Sequence, residues 1–184
     1  MLLATETTHG TVYAVDSWNT PEKNRERFDA FNCGRRIKAI QADAPDLPFE
    51  QDYFDALFSL DSYNYFGCGL GIIDKIANFV KPGGIILLSV PGLVCELNDD
   101  MMKILGRSWT RDQMDHIRTI DYWEGLFGQS SKVSLDKISP MRCYEQAWKD
   151  WLTCDNEYAQ GDRAAMESGG FALMNLIQIR LTVF

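Results

Sequence analysis

Short apolar runs alternate with segments of helical spacing through the first half of the chain, and this alternation constrains the fold more than any other feature. The sequence predicts strands at residues 12–16, 37–41, 53–60 and 85–90, and helices after Thr20 and over residues 72–80. The run at 53–60 is typical of a strand buried on both faces. Lys81–Gly84 is expected to end the second helix and turn the chain. Strands connected by crossover helices form a parallel sheet, so the sequence predicts an α/β fold.

The pattern changes after Pro91 and Gly92. Charged and aromatic residues mix through residues 98–127, which predicts helices with longer connections. A strand is predicted at 132–138, a helix at 144–152 and a final strand at about 172–183. No linker divides these segments, and 184 residues suit one core, so we expect a single domain over residues 1–184.

Charge and cysteine usage narrow the classes of partner and compartment. The chain has 18 basic and 26 acidic residues and a net charge of -8, which disfavours nucleic acid and anionic membrane surfaces as partners. No apolar run is long enough to span a bilayer, and no signal peptide is evident. Five cysteines without a C-x-x-C pair or a metal-ligand spacing predict reduced thiols, no metal site and a cytoplasmic location.

Polar residues follow several of the predicted strands, at the edge where open α/β sheets bind ligands. The clusters are Asp16-Ser17-Trp18, Asp43-Ala44, Ser59 to Ser62, and Val90 to Gly92. A carboxylate at the end of a strand accepts hydrogen bonds from a ribose diol in nucleotide-binding folds, although Asp16 could instead cap its own loop. Trp18 is either a stacking surface or a loop anchor. We therefore predict a nucleotide-type site at this edge.

These clusters, together with three further motifs, resemble class I S-adenosylmethionine-dependent methyltransferases. The motifs are Asp43-Ala44-Pro45-Asp46-Leu47-Pro48-Phe49, Tyr53-Phe54-Asp55-Ala56 and Val80-Lys81-Pro82-Gly83-Gly84, and the match runs from about Thr11 to Phe184. The resemblance implies S-adenosylmethionine as cofactor, with Asp16 on the ribose and Ser17 or Trp18 against the adenine. It also implies that Asp43 and Ala44 contact the adenine, and Ser59 completes the expected cofactor contacts. The aromatic C-terminal part is similar to the subgroup of the cyclopropane-fatty-acid-synthase-like enzymes.

The chain departs from the family pattern at its first motif. In the family a strand and a Gly-rich turn precede the strand that ends at the position of Asp16, whereas only Met1 to Gly10 lie before it here. We therefore expect a Rossmann-like, mostly parallel sheet with flanking helices and an antiparallel C-terminal strand that lacks the family's first strand. Two hypotheses follow: a truncated or alternatively started form with impaired cofactor binding, or a sheet closed by a partner chain, for which a homodimer is plausible.

Residues after the later strands are candidates for binding or activating the methyl acceptor. Asp61 and Tyr63 could orient or deprotonate an acceptor. Equally, Asp61 could cap the next helix and the tyrosines could be packing residues, an interpretation that is favoured for Tyr65. His116 is either a general base or a surface histidine. The aromatic set Trp109, Tyr122, Trp123, Tyr144, Trp148 and Trp151 forms either ordinary helix packing or a flat acceptor pocket. Asp61, Tyr63 and His116 are thus the predicted catalytic residues.

The sequence favours methyl transfer to a small molecule, with two alternatives. One is a non-catalytic relative that keeps the fold for binding or assembly. The other is a nicotinamide-dependent oxidoreductase, which would also use an acid at Asp16 but would not explain Asp43-Ala44 together with the Lys-Pro-Gly-Gly segment.

Overall fold

A computed structural model describes residues 10–31 and 35–184. The chain divides into two compact units, Met1–Glu50 and Gln51–Phe184. The expectation of a single domain stays a prediction. None of the helices in the described residues combines the length and the apolar character that crossing a bilayer requires.

Within residues 10–31 and 35–50, the described part of the first unit, two parallel strands and one helix are present. β1 (Val12–Asp16) pairs with β2 (Ile37–Gln41), with Asp16 opposite Gln41. α1 (Pro21–Ala30) lies between them in sequence and begins at the N-cap Thr20, whose Oγ1 accepts a hydrogen bond from the backbone N–H of Lys23 at 3.3 Å. Pro21 fits the first turn because its missing N–H would have no partner inside the helix. The parallel pair places the ends of both strands at one edge, as the sequence predicts.

The second unit is built on a four-stranded sheet. Its strands are β3 (Phe54–Leu60), β4 (Val80–Leu93), β5 (Val133–Pro140) and β6 (Met174–Val183), arranged in the order β3-β4-β6-β5. β3 and β4 are parallel, and β6 runs antiparallel to both β4 and β5. Three strands therefore share one direction and the C-terminal strand opposes them, which confirms the predicted fold class. Within the described residues, β1 pairs with β2 alone and β3 with β4 alone.

Seven short helices and a 3₁₀ turn connect these strands. They are α2 (Tyr63–Phe66), α3 (Ile72–Ala77), α4 (Asp99–Leu105), α5 (Arg111–Met114), α6 (Ile120–Phe127), α7 (Tyr144–Leu152) and α8 (Glu157–Met166), with the 3₁₀ turn at Gly170–Ala172. α6 buries Trp123 and Phe127 in the main core with residues of β4 and β6. A second, methionine-rich core forms around Met101, Met114 and Met166.

The Lys-Pro-Gly-Gly segment is not the turn that the sequence predicts. α3 ends at Ala77, and the segment lies inside β4. Phe54 pairs with Val80 but Ala56 pairs with Ile85, so the intervening residues of β4 bulge out of the ladder. Gly83 has a φ of 79°, and a Cβ on Gly84 would lie 2.6 Å from Val80 Cγ1. The two glycines are therefore needed for the bulge rather than for a chain reversal.

β3 is less buried than its apolar sequence predicts. Phe58 is 43% exposed and Leu60 is 70% exposed. Both side chains thus remain open to solvent although they are apolar. The prediction of burial on both faces is thus wrong.

Candidate functional site

The Asp16 carboxylate, at the end of β1, accepts four hydrogen bonds. Oδ1 accepts from the backbone N–H groups of Trp18 at 2.8 Å and Asn19 at 3.0 Å. Oδ2 accepts from the side-chain amides of Asn19 at 2.8 Å and Asn24 at 3.3 Å. The loop after β1 thus folds back onto the strand's last side chain.

These donors decide the charge of Asp16. Partial burial by itself raises the pKa of the carboxyl, but the hydrogen bonds from Asn19, Trp18 and Asn24 outweigh burial and lower the pKa to about 2. Hydrogen bonds to the ionised form favour that form. Asp16 is therefore a fixed anion at neutral pH, as an acceptor for hydroxyl donors must be.

The other predicted nucleoside contacts surround the ends of the same two strands. The Trp18 side chain is 86% exposed, which rules out the anchor interpretation and leaves its ring open for stacking. The loop is tied to β2 because Gln41 Nε2 donates to the carbonyl of Ser17 at 3.2 Å. Asp43 and Ala44 follow β2 in a turn closed by the Asp46 N–H, which donates to the Asp43 carbonyl at 2.9 Å. All five predicted nucleoside residues of the first unit thus lie near the carboxyl ends of the β1-β2 pair.

In the second unit, Ser59 and Asp61 lie at the carboxyl end of β3. The hydroxyls of Ser59 and Ser62 share a hydrogen bond of 2.8 Å. Asp61 has a φ of 51°, a left-handed conformation that few residues with a side chain adopt, and its N–H donates to the Ser89 carbonyl at 2.8 Å. Asp61 is exposed, yet desolvation of its carboxyl raises the pKa of that group and the charge of Asp162 raises it further.

Asp162 is a site residue that sequence reasoning missed. It lies on α8, and Trp151 Nε1 donates to its Oδ2 at 2.9 Å. Desolvation raises the pKa of Asp162, against hydrogen bonds from Trp151 and Trp109 that lower it. Burial, and then Asp61 and Asp162, raise the pKa of Tyr65. No local motif marks Asp162, because only the fold brings α8 near the end of β3.

His116 joins this group through Tyr65. The two rings lie 5.9 Å apart between centroids with an interplanar angle of 53°. Tyr65 is 64% exposed, so its ring is a surface feature rather than the packing residue that the sequence favours. The structure therefore brings together Asp61, Tyr65, His116 and Asp162, which we call the acidic-aromatic group.

Tyr63 is separated from this group by burial. Its side chain is 1% exposed and packs against Phe66, Trp123 and Phe127 at centroid distances of 5.3, 5.8 and 6.2 Å. Desolvation raises the pKa of Tyr63 far above its ordinary value, and its hydroxyl has no hydrogen-bond partner among the described residues. A phenol in this position does not exchange protons with an acceptor, so Tyr63 is a core residue in this structure.

The aromatic set of the second half is divided between packing and the acidic-aromatic group. Trp123 is fully buried in the main core, and Trp109 and Trp148 pack at the methionine-rich core with their centroids 6.3 Å apart. Trp109 and Trp151 also donate to Asp162. The packing interpretation is confirmed for Trp109, Trp123 and Trp148, and the acceptor pocket stays a prediction.

Comparisons with known proteins address the family and the fold. Residues 1–88 match a family model described as a methyltransferase domain. The chain is 25% identical over 113 residues to sterol 4-C-methyltransferase strm-1 of Caenorhabditis elegans, which covers 61% of this chain and 30% of that protein. The structure of geranyl diphosphate C-methyltransferase from Streptomyces coelicolor A3(2) aligns with a TM-score of 0.74 at 12% identity, covering 100% of this chain and 66% of that one. Residues 1–88 are therefore similar to a methyltransferase domain, and the fold is that of class I methyltransferases.

A further solved structure broadens the chemistry found on this methyltransferase fold. The [4+2]-cyclase SpnF aligns with a TM-score of 0.68 at 14% identity, covering 98% of this chain and 68% of that one. The predicted recognition of a class I methyltransferase is confirmed, and S-adenosylmethionine is the cofactor of the family. The chain spans 30% of the length of the curated relative.

Proposed function

We propose that this chain binds S-adenosylmethionine through its first unit and serves methyl transfer to a small molecule. The single observation that carries the proposal is the ionised Asp16 carboxylate at the end of β1, next to the exposed ring of Trp18. A ribose diol offers two hydroxyl donors to a carboxylate, and an adenine offers a flat face to an indole. Ser17, Asp43 and Ala44 are proposed to contact the same nucleoside, and Ser59 remains a predicted cofactor contact.

The residues present fit the cofactor in charge and chemistry. The cofactor supplies a methyl group already activated by a positive sulfur, so the protein contributes alignment and exclusion of water. Asp16 supplies the anion for the ribose hydroxyls, and Asp43 supplies an acceptor for the adenine amino group.

The acceptor chemistry is assigned to the acidic-aromatic group. Asp61 is proposed as the proton acceptor because burial and Asp162 raise its pKa, which makes it a stronger base than an ordinary aspartate. His116 is proposed to assist as base or orienting group, on the ring of Tyr65. Tyr63 is left out of this assignment because its hydroxyl lies in the core.

Thermal shift and calorimetric titration with S-adenosylhomocysteine test the proposal. A ligand that binds the folded state alone stabilises it in proportion to the logarithm of its concentration over Kd. Stabilisation by S-adenosylhomocysteine and not by a nicotinamide dinucleotide is expected, and it should be lost in Asp16→Asn. Stabilisation by the nicotinamide dinucleotide instead would favour the oxidoreductase alternative.

A second candidate function is binding on this fold without methyl transfer. SpnF, named as a cyclase, has this fold, and one of the three residues expected to be catalytic is buried here. The two functions differ in a single-turnover assay with S-adenosylmethionine labelled in its methyl group. Retention of the label on the donor across a panel of hydroxyl, amine and carbon-nucleophile acceptors, despite measurable binding, would favour the second function.

A further inference from the structure

We propose that the side-chain amides of Asn19 and Asn24 are internal substitutes for the ribose diol at Asp16. The inference rests on the proposed function, because it concerns how the same carboxylate would exchange its partners. An ionised carboxylate offers about four lone-pair sites to hydrogen-bond donors. All four sites of Asp16 are already filled, two by backbone N–H groups and two by amides.

The four donors differ in how easily they can leave. The N–H groups of Trp18 and Asn19 belong to the backbone of the loop and both bind Oδ1. Both donors on Oδ2 are side-chain groups, which can rotate away while the backbone stays in place. A diol that binds Asp16 therefore replaces the two amides at Oδ2.

The amides also keep the carboxylate ready for this exchange. A buried or half-buried anion without donors would take up a proton more readily, whereas the amides help to hold the pKa of Asp16 at about 2. Asn24 is 6% exposed and lies on α1, so its amide reaches Oδ2 from the helix. Asn19 is the closer competitor, since its amide lies 2.8 Å from Oδ2 against 3.3 Å for Asn24.

Asn19→Ala is the main test, and Asn24→Ala is the second variant. Each substitution frees one site on Oδ2 without changing the backbone donors on Oδ1. Since a hydrogen bond is worth about 0.5–1.5 kcal/mol net, each variant should bind S-adenosylhomocysteine about 2- to 10-fold more tightly, with the larger gain for Asn19→Ala. The 2′,3′-dideoxy analogue of S-adenosylhomocysteine should gain nothing, because it has no hydroxyls to place on Oδ2.

Thr20→Ala is the matched control. It removes the N-cap of α1 from the same loop but takes no donor from Asp16. It should lower stability without tightening binding. A gain in affinity in Thr20→Ala equal to that in Asn19→Ala would mean that loosening of the loop is responsible, and would overturn the inference.

A measurement without ligand tests the same contacts. The ¹³C chemical shift of the Asp16 carboxyl, followed against pH, should give a pKa above the wild-type value in both Asn variants and an unchanged pKa in Thr20→Ala. Binding by the wild type with equal or weaker binding by both Asn variants would overturn the inference and leave the proposed function intact. No binding by any of the proteins would overturn the inference and the proposed function together.

Discussion

Asp16 and Asp61 carry the same sequence signal and have opposite electrostatic surroundings. Each is an aspartate at the carboxyl end of a strand, β1 in the first unit and β3 in the second. Asp16 accepts four hydrogen bonds, which outweigh burial and lower its pKa to about 2. Burial raises the pKa of Asp61, and a second carboxylate, Asp162, raises it further.

The difference shows that donors, more than position on the sheet, decide what a carboxylate can do. An aspartate with many donors is a permanent anion and suits recognition of hydroxyl groups. An aspartate with a neighbouring negative charge holds a proton more readily and suits proton transfer. The proposed roles of Asp16 in recognition and of Asp61 in proton transfer follow from this difference in surroundings.

The largest effect is expected for Asp16→Asn. Loss of the anion weakens two charge-assisted hydrogen bonds to a diol, each worth about 1.5–3 kcal/mol, so affinity for S-adenosylhomocysteine should fall about 100-fold. Calorimetric titration measures the change. Asp46→Asn, in the loop after β2, is the matched control and should retain wild-type affinity. Equal affinity in Asp16→Asn and the wild type would show that Asp16 has no part in recognising the ligand.

The same variant makes a stability prediction whose sign follows from the lowered pKa. A carboxyl with a folded-state pKa of about 2, below its ordinary value of 3.8, stabilises the fold above that ordinary value, and the stabilisation is lost as pH falls toward 2. Because Asp16 is partly solvated, the contribution should be about 1–2 kcal/mol. Urea denaturation should therefore show Asp16→Asn less stable than the wild type at pH 7, with the difference shrinking below about pH 4.

Asp61→Asn is expected to have the next largest effect. Removal of a general base typically lowers kcat by about 10²-fold, and affinity for S-adenosylhomocysteine should remain unchanged. Single-turnover methyl transfer measures the first quantity and titration the second. A kcat within about threefold of the wild type would contradict the base assignment, since general-base catalysis contributes more than this.

The pH profile of Asp162→Asn tests whether Asp162 raises the pKa of Asp61. The negative charge of Asp162 raises the pKa of Asp61, so its removal should lower that pKa and shift the acidic limb of the kcat profile to lower pH. The amide oxygen of the substituted side chain can still accept from Trp151, which preserves the local hydrogen bond. A limb that stays in place or moves to higher pH would contradict the coupling of the two carboxylates.

The sequence predicted the surroundings of Asp16 more fully than those of Asp61. β1, β2 and the cluster Asp16-Ser17-Trp18 were predicted because strand patterning and the loop are local in the chain. The donors on Asp16 also lie within a few residues, although nothing in the sequence alone shows that Asn24 points back at the carboxylate.

The surroundings of Asp61 depend on contacts between segments that are distant in the chain. Asp162 lies on α8, far along the chain from Asp61, so no spacing rule relates the two. Tyr63 was assigned by its position after β3, but the short helix α2 turns its ring into the core. The sequence predicted a turn at Lys81–Gly84. The pairing of β4 with β3 makes this segment a bulge inside the strand instead.

Trp18→Ala should have an intermediate effect that is confined to recognition. Stacking of a base on an aromatic side chain is worth about 1–3 kcal/mol, so affinity for S-adenosylhomocysteine should fall about 10-fold. Stability should not change, because the side chain is 86% exposed and buries little apolar surface. Trp18→Phe keeps an aromatic face and should recover much of the affinity. Full affinity in Trp18→Ala would show that the exposed ring has no part in binding.

The smallest effect is expected for Tyr63→Phe, which tests whether the buried hydroxyl near Asp61 takes part in catalysis. The hydroxyl of Tyr63 is buried without a partner among the described residues, and an unsatisfied buried polar group costs about 1–3 kcal/mol, so its removal should leave stability equal or slightly higher. kcat should stay within about twofold of the wild type, because a phenol with so high a pKa has no access to the acceptor. Tyr65→Phe is the matched comparison, since it removes a hydroxyl close to the two carboxylates. Should Tyr63→Phe lower kcat more than Tyr65→Phe does, the core tyrosine would have to be exposed during turnover, and the division between the buried and the acidic-aromatic residues would fail.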